Sequence, residues 1–182
     1  MGKVVLVTGG ARSGKSTFAE KLALKLCAEP THRVYLATAQ AFDEEMKQRI
    51  KAHQERRKNL FVTLEEPVEL GLALQKACFQ LEENGVILVD CLTVWTSNLL
   101  YYKREKEVEK LYSSLEQIAT KPNCDLILVT NETGLGIVPD NELSRRFRDL
   151  AGIINQKVAS LASNVVFTVC GFPMYIKGEA LL

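Results

Sequence analysis

Between Val7 and Phe18 the chain passes from a buried-strand pattern to a helical one through Gly9-Gly10-Ala11-Arg12-Ser13-Gly14-Lys15-Ser16, and this stretch constrains the fold most. Lys3 to Val7 is aliphatic or β-branched at Val4, Val5, Leu6 and Val7 without polar alternation, as in a strand covered on both faces. After the loop, Phe18, Ala19, Leu22, Ala23 and Leu26 recur at helical spacing. Strand, G-x-x-x-x-G-K-S and helix in that order are the context a P-loop requires. Its glycines let backbone amides approach phosphates, and the helix adds its positive N-terminal end. Lys15 is placed to reach the β- and γ-phosphates, and the Ser16 hydroxyl to ligate Mg2+.

The rest of the chain alternates in the same manner. Strands are expected at Arg33 to Ala37, Phe61 to Leu64, Val86 to Asp90, Asp125 to Thr130 and Val165 to Cys170. Helices are expected at Asp43 to Arg57, Pro67 to Glu83, Val108 to Ala119 and Leu143 to Ala162. Apolar strands separated by helices predict an α/β protein: a mostly parallel sheet with helices on both faces, in one P-loop nucleotide-binding catalytic domain over residues 1–182. Ligands then sit beyond the carboxyl ends of the strands. Polar residues stand there: Ala37-Thr38-Ala39-Gln40, Asp90-Cys91-Leu92-Thr93 and Thr130-Asn131-Glu132. Asp90 has two readings, a partner of Ser16 in holding Mg2+ or a cap for a helix starting near Leu92.

Composition excludes several function classes. Charged residues make up 25% and the net charge is +1, so no basic track points to nucleic acid. The 5 cysteines stand at 27, 78, 91, 124 and 170 without a C-x-x-C pair, the usage of reduced thiols in an intracellular, cytoplasmic protein and not of a disulfide or zinc framework. The first residues run directly into a core strand, so no signal peptide is expected, and no apolar run is long enough to span a membrane.

Of the 2 histidines, His32 lies in a turn before a strand. His53 shares one face of the Asp43 to Arg57 helix with Met46, Ile50 and Arg57, at spacings of four, three and four. That face is the apolar stripe of an otherwise charged helix, with Arg49 and Arg56 on its flank. Neighbouring guanidinium groups push a histidine toward its neutral, nucleophilic form and can hold phosphate oxygens. From spacing alone, a solvated charged helix face whose histidine has no role is the favoured reading.

The sequence resembles the bifunctional adenosylcobinamide kinase / adenosylcobinamide-phosphate guanylyltransferase family of cobalamin biosynthesis. The resemblance is carried by Gly9 to Ser16, Tyr35-Leu36-Ala37-Thr38-Ala39, Arg49-Ile50 with His53, and Leu88-Val89-Asp90-Cys91-Leu92-Thr93. It continues through Val129-Thr130-Asn131-Glu132, Gly136-Ile137-Val138-Pro139, Arg146-Phe147-Arg148-Asp149 and Asn155-Gln156. It implies a RecA-like sheet, a homotrimer and two reactions. One phosphorylates the aminopropanol hydroxyl of adenosylcobinamide from ATP or GTP. The other transfers GMP from GTP to adenosylcobinamide-phosphate through a guanylylated histidine, releasing pyrophosphate, and His53 matches that position. The implied nucleotide contacts are Gly9, Gly10, Ala11, Arg12, Ser13, Gly14, Lys15, Ser16, Ala37, Thr38, Ala39, Gln54, Glu55, Arg56, Arg57, Glu65 and Asp90. Many members have Pro and Trp where this chain has Lys58 and Phe61, a departure near the base. A single-step small-molecule kinase would give His53 no role. A regulatory GTPase would need an N-K-x-D element, where this chain has Asn131-Glu132-Thr133-Gly134.

Overall fold

The computed structural model describes residues 2–40, 44, 48, 51, 54, 55, 57, 59–81, 84–121 and 123–182. Seven strands form one sheet: β1 Val4–Gly9, β2 Arg33–Ala37, β3 Val62–Glu65, β4 Gly85–Asp90, β5 Cys124–Val129, β6 Asn164–Val169 and β7 Phe172–Lys177. Their order is β3-β2-β4-β5-β1-β6-β7. All neighbours are parallel except β6 and β7. The defined helices are α1 Lys15–Leu26, α2 Leu70–Gln80, α3 Leu92–Tyr102, α4 Glu107–Ala119 and α5 Glu142–Leu161. Among the described residues no helix is long and apolar enough to cross a membrane.

Strand alternation divides the core in two. Val4, Leu6, Leu36, Ile87, Val89, Leu126 and Leu128 face α2 to α5, where Leu74, Trp95, Leu111 and Ile154 pack. Val5, Val7, Tyr35, Leu88, Ile127 and Val129 face α1, against Phe18, Ala19, Leu22 and Ala23. Both faces are dry, which is why the strands read as continuous apolar runs.

Three differences from the sequence expectation have local causes. The Pro67 to Glu83 helix begins only at Leu70. The carbonyls of Pro67 and Val68 accept Asn98 Nδ2 at 3.0 Å and Trp95 Nε1 at 2.7 Å, which ties this stretch to the neighbouring helix, and the first helical bond runs from the Ala73 amide to the Glu69 carbonyl at 3.1 Å. A whole apolar helix, α3, follows Asp90, where the sequence marks only a start near Leu92. The Val165 to Cys170 strand ends at Val169, because Cys170 (φ 51) and Gly171 (φ 86) form the turn into β7. Positive φ at both central residues suits a two-residue hairpin. The Asp43 to Arg57 helix is observed at 44, 48, 51, 54, 55 and 57, all helical; Met46, Arg49, Ile50, His53 and Arg56 lie outside the described residues.

The α2 and α4 helices approach closely at Gly71. A Cβ there would lie 2.8 Å from the Lys110 carbonyl oxygen and 3.0 Å from the Leu111 nitrogen, both backbone atoms that cannot yield. Gly71→Ala is therefore expected to destabilise the protein by about 1–3 kcal/mol. The melting temperature should fall by on the order of 5 °C. An unchanged melt would show that the two helices separate without cost.

Candidate functional site

The site lies at the carboxyl ends of β1, β2 and β4. The strand between β1 and β4 is β5, so the P-loop and Asp90 are separated by one strand width. Gly9 closes β1 with φ 149, and a Cβ there would lie 2.5 Å from the Thr168 carbonyl oxygen and 2.7 Å from Ser13 Oγ. The loop is held from behind by the end of β6 and its turn. Ser13 Oγ and Thr168 Oγ1 are 2.7 Å apart, and the Gly171 amide donates to the Ser13 carbonyl at 3.0 Å. Gly14, in the left-handed region at φ 99, caps α1 and comes within 3.1 Å of the Gly171 Cα when given a Cβ. Gly10, Ala11 and Arg12 are exposed on the outer rim of the loop.

Lys15 is buried under the loop, where its ammonium donates to the Gly10 carbonyl and, at 3.5 Å, to Ser13 Oγ. Burial lowers its pKa, opposed by Cys91 and by the negative charge of Asp90. Ser16 Oγ donates to Asp90 Oδ2 at 3.1 Å, and the Tyr35 hydroxyl donates to the same oxygen at 2.7 Å. The helix-capping reading of Asp90 is thereby overturned. Cys91 is the N-cap of α3, its sulfur accepting from the Val94 amide at 3.5 Å. Burial and the Asp90 charge push the Cys91 thiol up to about 11. At neutral pH it is a protonated thiol and not a nucleophile.

Thr38 ties β2 to β4. Its Oγ1 donates to the Cys91 carbonyl at 2.8 Å and accepts from the Cys91 amide at 2.9 Å, while its own carbonyl accepts from Asn98 Nδ2 at 2.8 Å. The flanking Ala37 and Ala39 are half-buried, and the Ala37 carbonyl takes the Glu66 amide at 2.9 Å. Arg57 is 4% exposed with its Cζ 3.4 Å from the centroid of the Tyr35 ring. Burial depresses its pKa, and the charges of Asp90 and Glu20 oppose this. Gln54 Nε2 donates to Glu65 Oε1 at 3.0 Å, so these two expected contacts meet at the end of β3; Glu55 is exposed nearby in sequence. His53 and Arg56 lie outside the described residues. His32 is in a 3-10 turn, Pro30–His32, at the amino end of β2, the opposite end of the sheet from the loop.

Sequence reasoning missed several residues that shape this site. Tyr35 looks like any core aromatic in its strand. Thr168 and Gly171 lie some 155 residues from the loop they support, as the Ser13–Thr168 separation shows. Asn98 sits inside the helix that the sequence did not delimit.

Two hard oxygens, Ser16 Oγ and an Asp90 carboxylate oxygen, face each other across 3.1 Å beside the loop lysine. A pair of that kind suits Mg2+, which keeps several waters and takes further oxygens from substrate phosphates. The arrangement as a whole offers backbone amides, one buried ammonium, one guanidinium and a hydroxyl–carboxylate pair, a set fitted to hold and transfer nucleotide phosphates.

Comparison with known proteins agrees. Residues 5–176 match the family model described as cobinamide kinase / cobinamide phosphate guanyltransferase. The chain is 46% identical over 181 residues to the bifunctional adenosylcobalamin biosynthesis protein CobP of Pseudomonas aeruginosa, covering 97% of this chain and 98% of that protein. It is 37% identical over 187 residues to the bifunctional adenosylcobalamin biosynthesis protein CobU of Escherichia coli, covering 96% of this chain and 99% of that protein. Among solved structures, the flagellar accessory protein FlaH of Methanocaldococcus jannaschii superposes with a TM-score of 0.54 over 98% of this chain and 80% of that one. At 15% identity, that likeness speaks to the fold alone.

Proposed function

The chain belongs to the cobinamide kinase / cobinamide phosphate guanyltransferase family, and from that premise we propose that a single P-loop site serves both reactions, with His53 as the residue that carries GMP. The protein is a bifunctional enzyme of adenosylcobalamin biosynthesis. The observation that supports one shared phosphate site is the meeting of Lys15, Ser16, Asp90, Tyr35 and Arg57 at the ends of three strands.

In the kinase reaction the hydroxyl of the aminopropanol arm of adenosylcobinamide attacks the γ-phosphorus of ATP or GTP. The bond to the β-phosphate oxygen breaks and the hydroxyl proton leaves. Amides of Gly9 to Ser16 and the Lys15 ammonium stabilise charge on the transferring group. In the second reaction the neutral His53 imidazole attacks the α-phosphorus of GTP. A P–N bond forms and pyrophosphate leaves, again against Lys15. An oxygen of adenosylcobinamide-phosphate then attacks that phosphorus, the P–N bond breaks, and adenosylcobinamide-GDP forms with the imidazole restored. Ser16 and Asp90 would hold a Mg2+ ion, which supplies positive charge to the phosphates when bound. Arg57 contributes a second fixed cation, and Gln54, Glu55 and Glu65 line the nucleotide end of the same edge, with Arg56 expected to contact the nucleotide by the family resemblance. Thr38 and its neighbours Ala37 and Ala39 form the wall beside it. The assembly is a homotrimer of the cytoplasm.

GTP labelled in its α-phosphate tests this reading. Label should remain on the denatured protein, be released by acid and resist base, as a phosphoramidate does. Chelation of divalent cations should abolish both labelling and kinase turnover. A protein that phosphorylates adenosylcobinamide but retains no label would be a single-step kinase.

A further inference from the structure

Tyr35 is 3% exposed in the middle of β2, on the sheet face covered by α1. Its ring meets Phe61 edge-on, with centroids 5.8 Å apart. For packing alone a phenylalanine would serve. The hydroxyl instead reaches the carboxyl edge and donates to Asp90 Oδ2 at 2.7 Å, the oxygen that also accepts from Ser16 Oγ at 3.1 Å. Two donors on one oxygen fix the rotation of that carboxylate. The ring has a second task. The Arg57 Cζ lies 3.4 Å from its centroid, and Arg57 is 4% exposed. A guanidinium so buried is costly unless its charge is met. The ring face meets part of it, in the geometry of a cation–π contact, and the Asp90 and Glu20 charges meet more. One side chain thus touches both the strand-end acid beside the P-loop and the arginine of the segment that contains Gln54.

We propose that Tyr35 is the positioning residue joining the two halves of the phosphate site: its hydroxyl orients the Asp90 carboxylate beside Ser16, and its ring is the platform that holds Arg57. This rests on the reading that Ser16, Asp90 and Arg57 address a nucleotide and its cation. The two halves of Tyr35 are separable by substitution. Tyr35→Phe keeps the platform and removes the bond to Asp90. Tyr35→Met fills a similar volume and removes both.

The test is equilibrium binding of a fluorescent GTP analogue to the purified full chain, with and without Mg2+, alongside thermal melts and both turnover assays. Tyr35→Phe should bind the analogue without Mg2+ as wild type does, while the tightening that Mg2+ adds shrinks about tenfold. With Mg2+ present, the KM for GTP should rise by a similar factor in both reactions. Tyr35→Met should lose, in addition, about fivefold in affinity without Mg2+, because Arg57 has no platform. Mg2+-dependent tightening equal to wild type in Tyr35→Phe overturns the hydroxyl half, and this variant decides it even if Tyr35→Met does not fold. Metal-free binding by a folded Tyr35→Met equal to that of Tyr35→Phe overturns the platform half. A wild-type protein that takes up no GMP and phosphorylates no adenosylcobinamide would instead sink the functional reading, while the binding measurements still decide Tyr35.

Discussion

Lys15→Ala is expected to abolish kinase and guanylyl transfer together, by three orders of magnitude or more in kcat/KM, on the scale of removing a charge aimed at a transferring phosphoryl group. Both reactions expel an anion: a nucleoside diphosphate in one, pyrophosphate in the other. Lys15 is the loop's ammonium, buried against the Gly10 carbonyl and Ser13 Oγ. Burial disfavours its charged form, so the group gains most when phosphate oxygens replace those neutral partners. The loop itself should survive the substitution, because its shape also rests on Ser13, Thr168 and the Gly171 amide. Circular dichroism should therefore be unchanged. Lys15→Arg should not rescue turnover, since a planar fork does not replace a compact ammonium in a closed loop. Near-normal GTP binding and turnover in Lys15→Ala would overturn the assignment of this loop.

The second large effect separates the two reactions. His53→Ala should lose covalent GMP uptake entirely and guanylyl transfer with it, while phosphorylation of adenosylcobinamide persists, because that step needs no protein nucleophile. The rival nucleophiles among the described residues are poor ones. Cys91 adjoins the site but holds its proton to about pH 11. His32 stands at the opposite end of the sheet. GTP affinity should weaken somewhat, because Gln54 and Arg57 belong to the same segment, and Arg57 reaches Tyr35. The assay is α-labelled GTP on denatured protein beside a kinase assay on the same preparation. Acid-labile label on His53→Ala would move the nucleophile elsewhere and end the proposed mechanism.

How much of this was legible beforehand depends on the range of the interactions involved. The P-loop was legible because it is local: eight consecutive residues between an apolar run and a helical repeat specify turn, helix and phosphate cradle together. The strands β1, β2, β4 and β5 were legible because sheets covered on both faces demand unbroken aliphatic runs. The edge strand β7 was not. Its side chains are largely exposed, it contains Pro173, and neither feature produces the alternation that marks a half-buried strand. The start of α2 was misplaced because what holds Pro67 and Val68 outside the helix is non-local: Asn98 and Trp95, both in α3, bond their carbonyls.

The sequence by itself determined the α/β class and the place of the loop between β1 and α1, since each follows from residues within one strand or turn of one another. Only the tertiary structure decided what Asp90 does. Sequence allowed it to cap a helix or to face the loop; Cys91 takes the cap, and the Asp90 carboxylate receives Ser16 from 74 residues away and Tyr35 from 55. The same holds for Arg57 over Tyr35 and for Thr168 and Gly171 behind Ser13. Such contacts join segments through the parallel crossovers of the sheet, and no local periodicity encodes which strand end will lie beside which.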